Sequence, residues 1–185
     1  MKKILITLLV SLVPILEITI GQTIKLGIRI EPAMLISQTL DENSFSFTPF
    51  SFYANVLVQP IEWLSLDVRP GYLIGEEYRG YELGAFARLK ISSSKFYIIT
   101  GIINHSNTAS SHNGGGSYAK DMLFKSVGVG FQKDSKLSFD VMYYWTGDKD
   151  YKYSRQTDFL TYSRTVNTQM NAILKVGFSL AWDIL

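Results

Sequence analysis

The chain contains no cysteine, which excludes a disulfide framework, a cysteine-ligated metal site and a lipid-modified N-terminal cysteine. Charge of one sign is not in excess either: 18 Lys and Arg stand against 16 Asp and Glu without any basic run, so we expect no nucleic-acid partner. The sequence has no P-loop, no HExxH and no GxGxxG before a helix, and we expect no cofactor and no metal. After the first segment, no stretch shows the 3.6-residue period of an amphipathic helix. What remains favours strands, because aromatic residues make up 14% of the chain.

The first 21 residues have the order of a secretory signal peptide. Two lysines follow Met1, an apolar run covers residues 4–16, and small residues precede Gln22. Pro14 interrupts the apolar run, which is shorter than the roughly 20 residues that a membrane-spanning helix needs. We therefore expect residues 1–21 to be a signal peptide and residues 22–185 to form one domain, for which 46% hydrophobic content supplies a core.

Eight segments alternate between apolar and polar side chains with the period of two that is typical of β-strands. They cover residues 24–36, 47–59, 63–75, 80–92, 95–105, 121–133, 136–147 and 170–184. Short turns join the second to the third, the fourth to the fifth and the sixth to the seventh strand, whereas the other connections are longer and rich in Ser, Asn, Thr and Gly. In an antiparallel arrangement, all short turns would lie at one end and all long loops at the other.

Charged side chains keep to one face of these strands. The charged positions on this polar face are Lys25, Arg29, Glu31, Asp67, Arg69, Glu82, Arg88, Lys90, Asp140, Lys175 and Asp183. Lys125, near a long loop, is the clear exception. The same face carries many small residues, among them Gly27, Gly84 and Gly177. Glycine weakens a strand, but small side chains suit the crowded interior of a barrel of about eight strands. We therefore predict that the polar face lines a barrel interior and that the apolar face contacts lipid.

Aromatic residues cluster near the strand ends, where a membrane barrel meets the two lipid-water boundaries. The members of this set are Phe47, Phe50, Trp63, Tyr72, Tyr78, Tyr81, Phe96, Tyr118, Tyr143, Trp145 and Trp182. Ordinary cross-strand pairing of aromatic rings accounts for some of them.

A signal sequence, eight alternating strands, three short turns opposite four longer loops and a final closing strand make the sequence similar to the small OmpA/OmpX-type outer-membrane barrels. The resemblance is one of pattern and covers nearly the whole mature chain. It implies an all-β fold, an eight-stranded antiparallel up-and-down transmembrane β-barrel, located in the bacterial outer membrane with both termini periplasmic. It also implies outer-membrane lipid and lipopolysaccharide as surroundings and the barrel-assembly insertase as a partner during biogenesis.

The charges on the polar face are nearly balanced, with six basic and five acidic positions. Charges removed from water persist when they are paired. We therefore predict an ion-pair network that plugs the lumen. Barrel filling and a path for protons or ions are the two roles that this network could have.

His105, Ser106 and Asn107 form the one candidate for catalysis. They are similar to the His-x-Ser-Asn stretch of outer-membrane lipid A deacylases, although the spacer residue is missing, and Asp121 is a candidate orienting acid. Neighbouring side chains of a strand point to opposite faces, so His105 would reach Ser106 only if the chain bends. We expect no catalytic site, and a lipid A deacylase-like hydrolase that uses His105 and Ser106 is the alternative.

The long loops offer candidates for recognition. Binding residues concentrate on loops that a rigid scaffold holds, and Tyr together with Arg is typical of adhesive surfaces. The candidates are Tyr151, Tyr153, Arg155, Phe159, Tyr162 and Arg164. The sequence therefore predicts a structural or surface-exposed outer-membrane barrel that acts in envelope integrity or in loop-mediated recognition or adhesion, with an extracellular ligand at the loops.

Overall fold

The computed structural model describes residues 23–40, 42–47, 49–76, 78–108, 110–112, 114–157 and 163–184. All regular structure in these ranges is β-strand: β1 (Thr23–Thr39), β2 (Glu42–Ser46), β3 (Phe50–Ile61), β4 (Leu64–Ile74), β5 (Gly80–Lys90), β6 (Phe96–Asn107), β7 (Ser111–His112), β8 (Gly115–Ser117), β9 (Asp121–Gln132), β10 (Leu137–Thr146), β11 (Asp150–Thr157) and β12 (Ser163–Asp183). Within the same ranges, no helix has the length and apolar character to cross a membrane. The predicted signal peptide lies outside the described residues.

Eight of the described strands close into an antiparallel barrel. Each barrel strand pairs with the next one along the chain, in the order β1, β3, β4, β5, β6, β9, β10 and β12. Pairing of β12 with β1, from Lys25 opposite Asp183 to Thr39 opposite Thr168, closes the ring. Closure removes the free edges that an open sheet would expose. The predicted all-β fold, an eight-stranded antiparallel up-and-down barrel, is therefore confirmed.

The eight predicted strands coincide with the eight barrel strands to within three residues at most boundaries. The exception is the last strand, which begins at Ser163 instead of residue 170. Hydrophobic alternation identified the barrel strands because each of these strands has an apolar outer face and a polar face toward the lumen.

A sheet extends beyond the barrel at the long-loop end. In this protruding sheet, β11 pairs with the first part of β12, β8 pairs with β11, and β7 pairs with β8. At the same end, β2 pairs with the last part of β1, from Leu35 to Thr39. The interpretation of residues 148–169 as a loop is therefore wrong for Asp150–Thr157 and for the segment from Ser163 onward. These short strands lack clear apolar alternation, and pairing with a neighbouring strand defines them instead.

The two faces of the barrel have opposite chemistry. Large apolar side chains on the outer face are exposed, such as Ile28, Leu66, Leu83 and Val129. Lys125 also lies on this outer face, paired in register with Ile102 and Trp145. Polar and charged side chains fill the interior, together with an apolar layer of Leu73, Ile103, Met122 and Met170 toward the long-loop end.

Two of the aromatic residues proposed for the lipid-water boundaries lie elsewhere. Tyr78 is buried inside the long-loop end of the barrel, where its ring stacks on His105. Tyr118 contacts Tyr153 of the protruding sheet. Trp63, Tyr81, Phe96, Trp145 and Trp182 do lie exposed on the outer face or at its ends.

Candidate functional site

The structure buries eight of the eleven predicted lumen charges. Four of the buried side chains are cationic and four are anionic: Arg29, Arg69, Arg88 and Lys175, with Glu31, Asp67, Glu82 and Asp140. The other three lie at the short-turn end, where Lys25 pairs with Asp183 at 3.1 Å and Lys90 pairs with Glu62 at 3.4 Å. The buried set therefore carries equal numbers of opposite charges.

Asp67 and Glu31 each bind two cations. Asp67 Oδ2 accepts hydrogen bonds from Arg69 Nε at 2.9 Å and from Arg88 Nη2 at 2.5 Å. Glu31 Oε1 accepts from Arg29 Nε at 2.5 Å and from Arg69 Nη1 at 3.2 Å. Charge-assisted bonds of this kind are among the stronger protein hydrogen bonds, and here they offset the cost of burying five ions.

Asp140 extends this cluster across the lumen. It accepts a hydrogen bond from Arg29 Nη2, and its second oxygen accepts from the Tyr97 hydroxyl at 3.1 Å. The Arg69 guanidinium also lies 4.1 Å above the centre of the Phe86 ring, in cation-π geometry.

Glu82 is the centre of a second cluster nearer the long-loop end. Lys175 Nζ donates to Glu82 Oε2 at 2.9 Å and to the Tyr53 hydroxyl at 2.7 Å. The Tyr53 hydroxyl in turn donates to Glu82 Oε2, and the Ser51 hydroxyl donates to the same oxygen at 3.0 Å. His105 Nδ1 lies 3.2 Å from Glu82 Oε1. Lys175 Nζ is also 3.6 Å from Glu31 Oε2, so the two clusters form one continuous network.

Tyr53, Tyr97, Ser51 and His105 were absent from the predicted network. Alternation along β3 and β6 places all four on the inner face, but formal charge does not identify neutral hydroxyl and imidazole groups. Within the described ranges, no three His, Asp or Glu side chains converge as a metal site would require. The ion pairs of the network join residues of β1, β4, β5, β10 and β12, so they hold the barrel wall together across the lumen.

Glycine makes room for the network at two positions. A Cβ atom on Gly177 would overlap the Arg29 guanidinium and the Asp140 carboxylate, and one on Gly130 would overlap the Tyr97 ring. These close approaches explain why small residues share the inner face with long charged ones.

Aromatic rings close the lumen at the long-loop end. The rings of Tyr78 and His105 stack with centroids 4.1 Å apart, and Tyr151 meets Tyr78 edge-on at 5.8 Å. Tyr151 is only 4% exposed, so its assignment as a surface recognition residue is wrong. Tyr151 lies at the irregularity between Asp150 and Lys152 in the pairing of β11 with β12, and its ring packs edge-on against Tyr78.

His105 and Ser106 do not form a nucleophile-base pair. His105 faces the lumen, whereas Ser106 Oγ donates to Asp121 Oδ1 at 2.5 Å on the other face of the sheet. The strand continues without a bend through this point, with His105 opposite Met122 and Ser106 opposite Asp121. This geometry does not provide the His105–Ser106 pair that the hydrolase alternative requires.

We expect that replacing His105 by Ala leaves the acylation of lipid A unchanged, since its imidazole contacts Glu82 and cannot reach Ser106. Mass spectrometry of lipid A from cells that express the wild-type protein, the variant or neither measures this directly. Loss of an acyl chain that depends on both His105 and Ser106 would establish the hydrolase instead.

The protruding sheet brings aromatic and basic side chains together on its surface. The rings of Tyr118 and Tyr153 lie 5.1 Å apart, Arg155 lies 5.8 Å from the Tyr153 ring, and Lys120 lies 5.9 Å from the Tyr118 ring. The Tyr118 hydroxyl donates to Asn167 Oδ1 at 2.8 Å. We call these five residues the Tyr-Arg surface.

The predicted recognition residues are thus separated. Tyr153 and Arg155 belong to the Tyr-Arg surface, and Arg164 is exposed on β12. Phe159 and Tyr162 lie outside the described residues. Sequence reasoning missed Tyr118, Lys120 and Asn167 because they reach the surface through pairing of strands that are distant in sequence.

The chain is similar in structure to three small barrels of known structure. It has 14% identity to Neisserial surface protein A, covering 88% of this chain and 99% of that one with a TM-score of 0.49. It has 10% identity to the N-terminal β-barrel domain of Pseudomonas aeruginosa OprF, covering 83% of this chain and 97% of that one with a TM-score of 0.42. It has 9% identity to the outer membrane protein OprG from Pseudomonas aeruginosa, covering 87% of this chain and 95% of that one with a TM-score of 0.37. No protein-family model and no curated protein sequence matches the chain.

Proposed function

We propose that the protein spans a bacterial outer membrane as a plugged barrel and displays the Tyr-Arg surface for recognition outside the cell. The observation that carries this proposal is the inversion of the usual pattern of burial. Eight charged side chains are buried in the barrel while leucine, isoleucine and valine side chains remain exposed around it. Such a surface is stable in lipid and would associate in water.

The interior supports a barrel that conducts little or nothing. Ion pairs, tyrosines and the apolar layer occupy the lumen, and Tyr78, His105 and Tyr151 close its long-loop end. A barrel of eight strands has an interior just wide enough for such side chains. This supports a structural role in the envelope over a role as a pore.

Short turns and long connections set the proposed orientation. Outer-membrane barrels have short periplasmic turns and longer extracellular loops. With this orientation both termini are periplasmic, and the protruding sheet lies outside the cell. Its pairing to β1 and β12 attaches the Tyr-Arg surface to a rigid scaffold, as recognition surfaces usually require.

The chemistry of the Tyr-Arg surface suits an anionic carbohydrate. Tyrosine rings can stack against sugar rings, while Arg155 can pair with carboxylate, sulfate or phosphate groups. Lys120 donates to Asp148 at 2.5 Å, so Arg155 is the main anchor for an anionic group. The surface is preformed, because hydrogen bonds of Asn167 to Tyr118 and to Asp150 hold its strands together. Little ordering would therefore be needed on binding.

Binding to immobilised heparin, compared with neutral dextran, tests this proposal. We expect the wild-type barrel in detergent to bind heparin, and Tyr153→Ala or Arg155→Ala to weaken binding about tenfold, since aromatic and Arg anchors dominate recognition. Surface plasmon resonance measures the affinities.

Arg79→Ala is the matched control, since Arg79 is exposed in the β4–β5 connection at the same end of the barrel. Its removal should leave binding unchanged. Equal losses for Arg79→Ala and Arg155→Ala would show unspecific attraction to positive charge and contradict a defined Tyr-Arg surface.

A further inference from the structure

The short-turn end of the barrel encloses a cavity of about 360 Å³. Its inner end is formed by buried side chains, including Arg88, Ser138, Tyr97 and Ser179. Its outer rim is formed by the turns after β5 and β9. We call this cavity the vestibule. Volumes of this size are typical of small-molecule sites.

Positive charge dominates the walls of the vestibule. Its lining contains six cationic side chains (Lys25, Arg88, Lys90, Lys95, Lys133 and Lys136) and two anionic ones (Glu62 and Asp134). This excess contrasts with the lumen network above it, in which four cations balance four anions. The vestibule therefore has the sign of potential that attracts an anion.

Part of this positive charge is available to a ligand. Lys25 pairs with Asp183 and Lys90 pairs with Glu62, but exposed Lys95, Lys133 and Lys136 stand outside these two pairs. Asp134 accepts hydrogen bonds from the backbone N–H groups of Leu137 and Lys136 at 2.8 Å, and these bonds hold the pKa of its carboxyl below the usual value. Its carboxylate also attracts Lys133 and Lys136, and this single negative charge leaves the turn with a net positive charge.

The inner end of the vestibule carries a donor without an acceptor. Arg88 is 5% exposed, and its Nη2 donates to Asp67 while its Nη1 lies 3.4 Å from Ser138 Oγ. Its Nε has no hydrogen-bond partner among the described residues. Buried donors are normally satisfied. An anion that takes the place of the Ser138 contact would give the Arg88 guanidinium a second anionic partner beside Asp67.

We propose that the vestibule binds a small phosphate-bearing ligand. Its phosphate takes the place of the 3.4 Å contact between Arg88 Nη1 and Ser138 Oγ at the inner end, and Lys133 and Lys136 neutralise it from the rim. Leu57 on the inner wall contacts the organic part of the ligand. The chemistry fits a soluble phosphate monoester and also the head group of an anionic phospholipid. This site is separate from the Tyr-Arg surface, which lies at the opposite end of the barrel.

Calorimetric titration with glycerol 3-phosphate tests the proposal on the full barrel in maltoside detergent and phosphate-free buffer. We expect saturable binding at one site. The double variant Lys133→Ala/Lys136→Ala should weaken it about tenfold, because two charged partners are removed. The control Arg79→Ala/Lys149→Ala removes two exposed cations at the other end and should bind as the wild type does.

Ser138→Asp tests the inner end of the vestibule. The new carboxylate would pair with Arg88 and take the place of the ligand's phosphate, so binding should be lost while the compact mobility of the unheated barrel on a gel is retained. Absence of saturable binding by the wild type would overturn the proposal. So would wild-type affinity in folded Ser138→Asp, or equal weakening in the two double variants.

A second titration with glycerol 3-phosphate, in nanodiscs of phosphatidylglycerol or of phosphatidylcholine, distinguishes a lipid head group from a soluble molecule as the ligand. If the head group of an anionic lipid is the ligand, glycerol 3-phosphate should bind more weakly in phosphatidylglycerol through competition. Equal affinity in both lipids identifies a soluble phosphate monoester as the ligand.

Discussion

Asp67→Asn is expected to lower the free energy of unfolding by about 3–5 kcal/mol, the range for breaking a buried ion pair. Asparagine keeps the shape of the side chain but removes the charge that Arg69 and Arg88 share through Oδ2. Arg69 retains Glu31, whereas Arg88 retains no carboxylate and keeps the hydroxyl of Ser138 and the Tyr97 ring. Urea titration of the barrel in lipid vesicles, followed by gel mobility, measures the change.

Asp183→Asn is the matched control for this prediction. Asp183 pairs with Lys25 at 3.1 Å, but its side chain is about half exposed at the short-turn end. Exposed ion pairs contribute roughly 0–1 kcal/mol. If the two substitutions had the same small effect, the buried network would not hold the barrel together, and its charges would need another role.

Leu66→Arg is expected to lower the free energy of unfolding in a bilayer by about 1–2 kcal/mol, because the arginine would face hydrocarbon two residues inside the short-turn end of β4, between the bilayer midplane and the interface. Leu66 is 47% exposed on the outer face, between Val58 of β3 and Ala87 of β5 in register. In a water-soluble barrel the same exposure would make the substitution nearly neutral. The urea titration in vesicles distinguishes the two cases.

Leu40→Arg provides the control for the lipid face. Leu40 is 58% exposed, but it lies in the turn between β1 and β2, beyond the closed barrel. Both substitutions replace an exposed leucine, but Leu66 lies on the apolar outer face of the barrel and Leu40 does not. Equal effects of Leu66→Arg and Leu40→Arg would contradict a lipid-facing outer surface.

Alternation of side chains allowed the barrel to be predicted because it follows from one physical requirement. Leu26, Ile28 and Ile30 face outward while Gly27 and Arg29 face inward, and a shift of one residue would reverse every contact. The same parity placed the lumen charges on one face. It could not determine which cation pairs with which anion, since Arg29 and Asp140 meet across 111 positions in sequence.

The protruding sheet escaped prediction for a different reason. Its strands are short, and a polar strand such as β8 becomes a strand because β11 and β7 lie beside it. The sequence alone predicts a loop around Tyr151, and in a loop alternation does not indicate which side chains are buried. The sequence did not indicate the vestibule, because Lys95, Lys133 and Lys136 lie in two turns that the pairing of β6 with β9 brings to one rim.

The central claim is tested most directly by measuring whether lipid or water surrounds the outer face of the barrel. Because the chain has no cysteine, single cysteines at Leu83, Val129 and Val141 can each carry a spin label without prior substitutions. In bilayers, the account predicts that these labels are relaxed strongly by oxygen and weakly by a water-soluble nickel complex, and that a label at Leu40 shows the reverse. Strong relaxation by nickel at Leu83, Val129 and Val141 would mean that water covers the apolar face, and would contradict a membrane-spanning barrel.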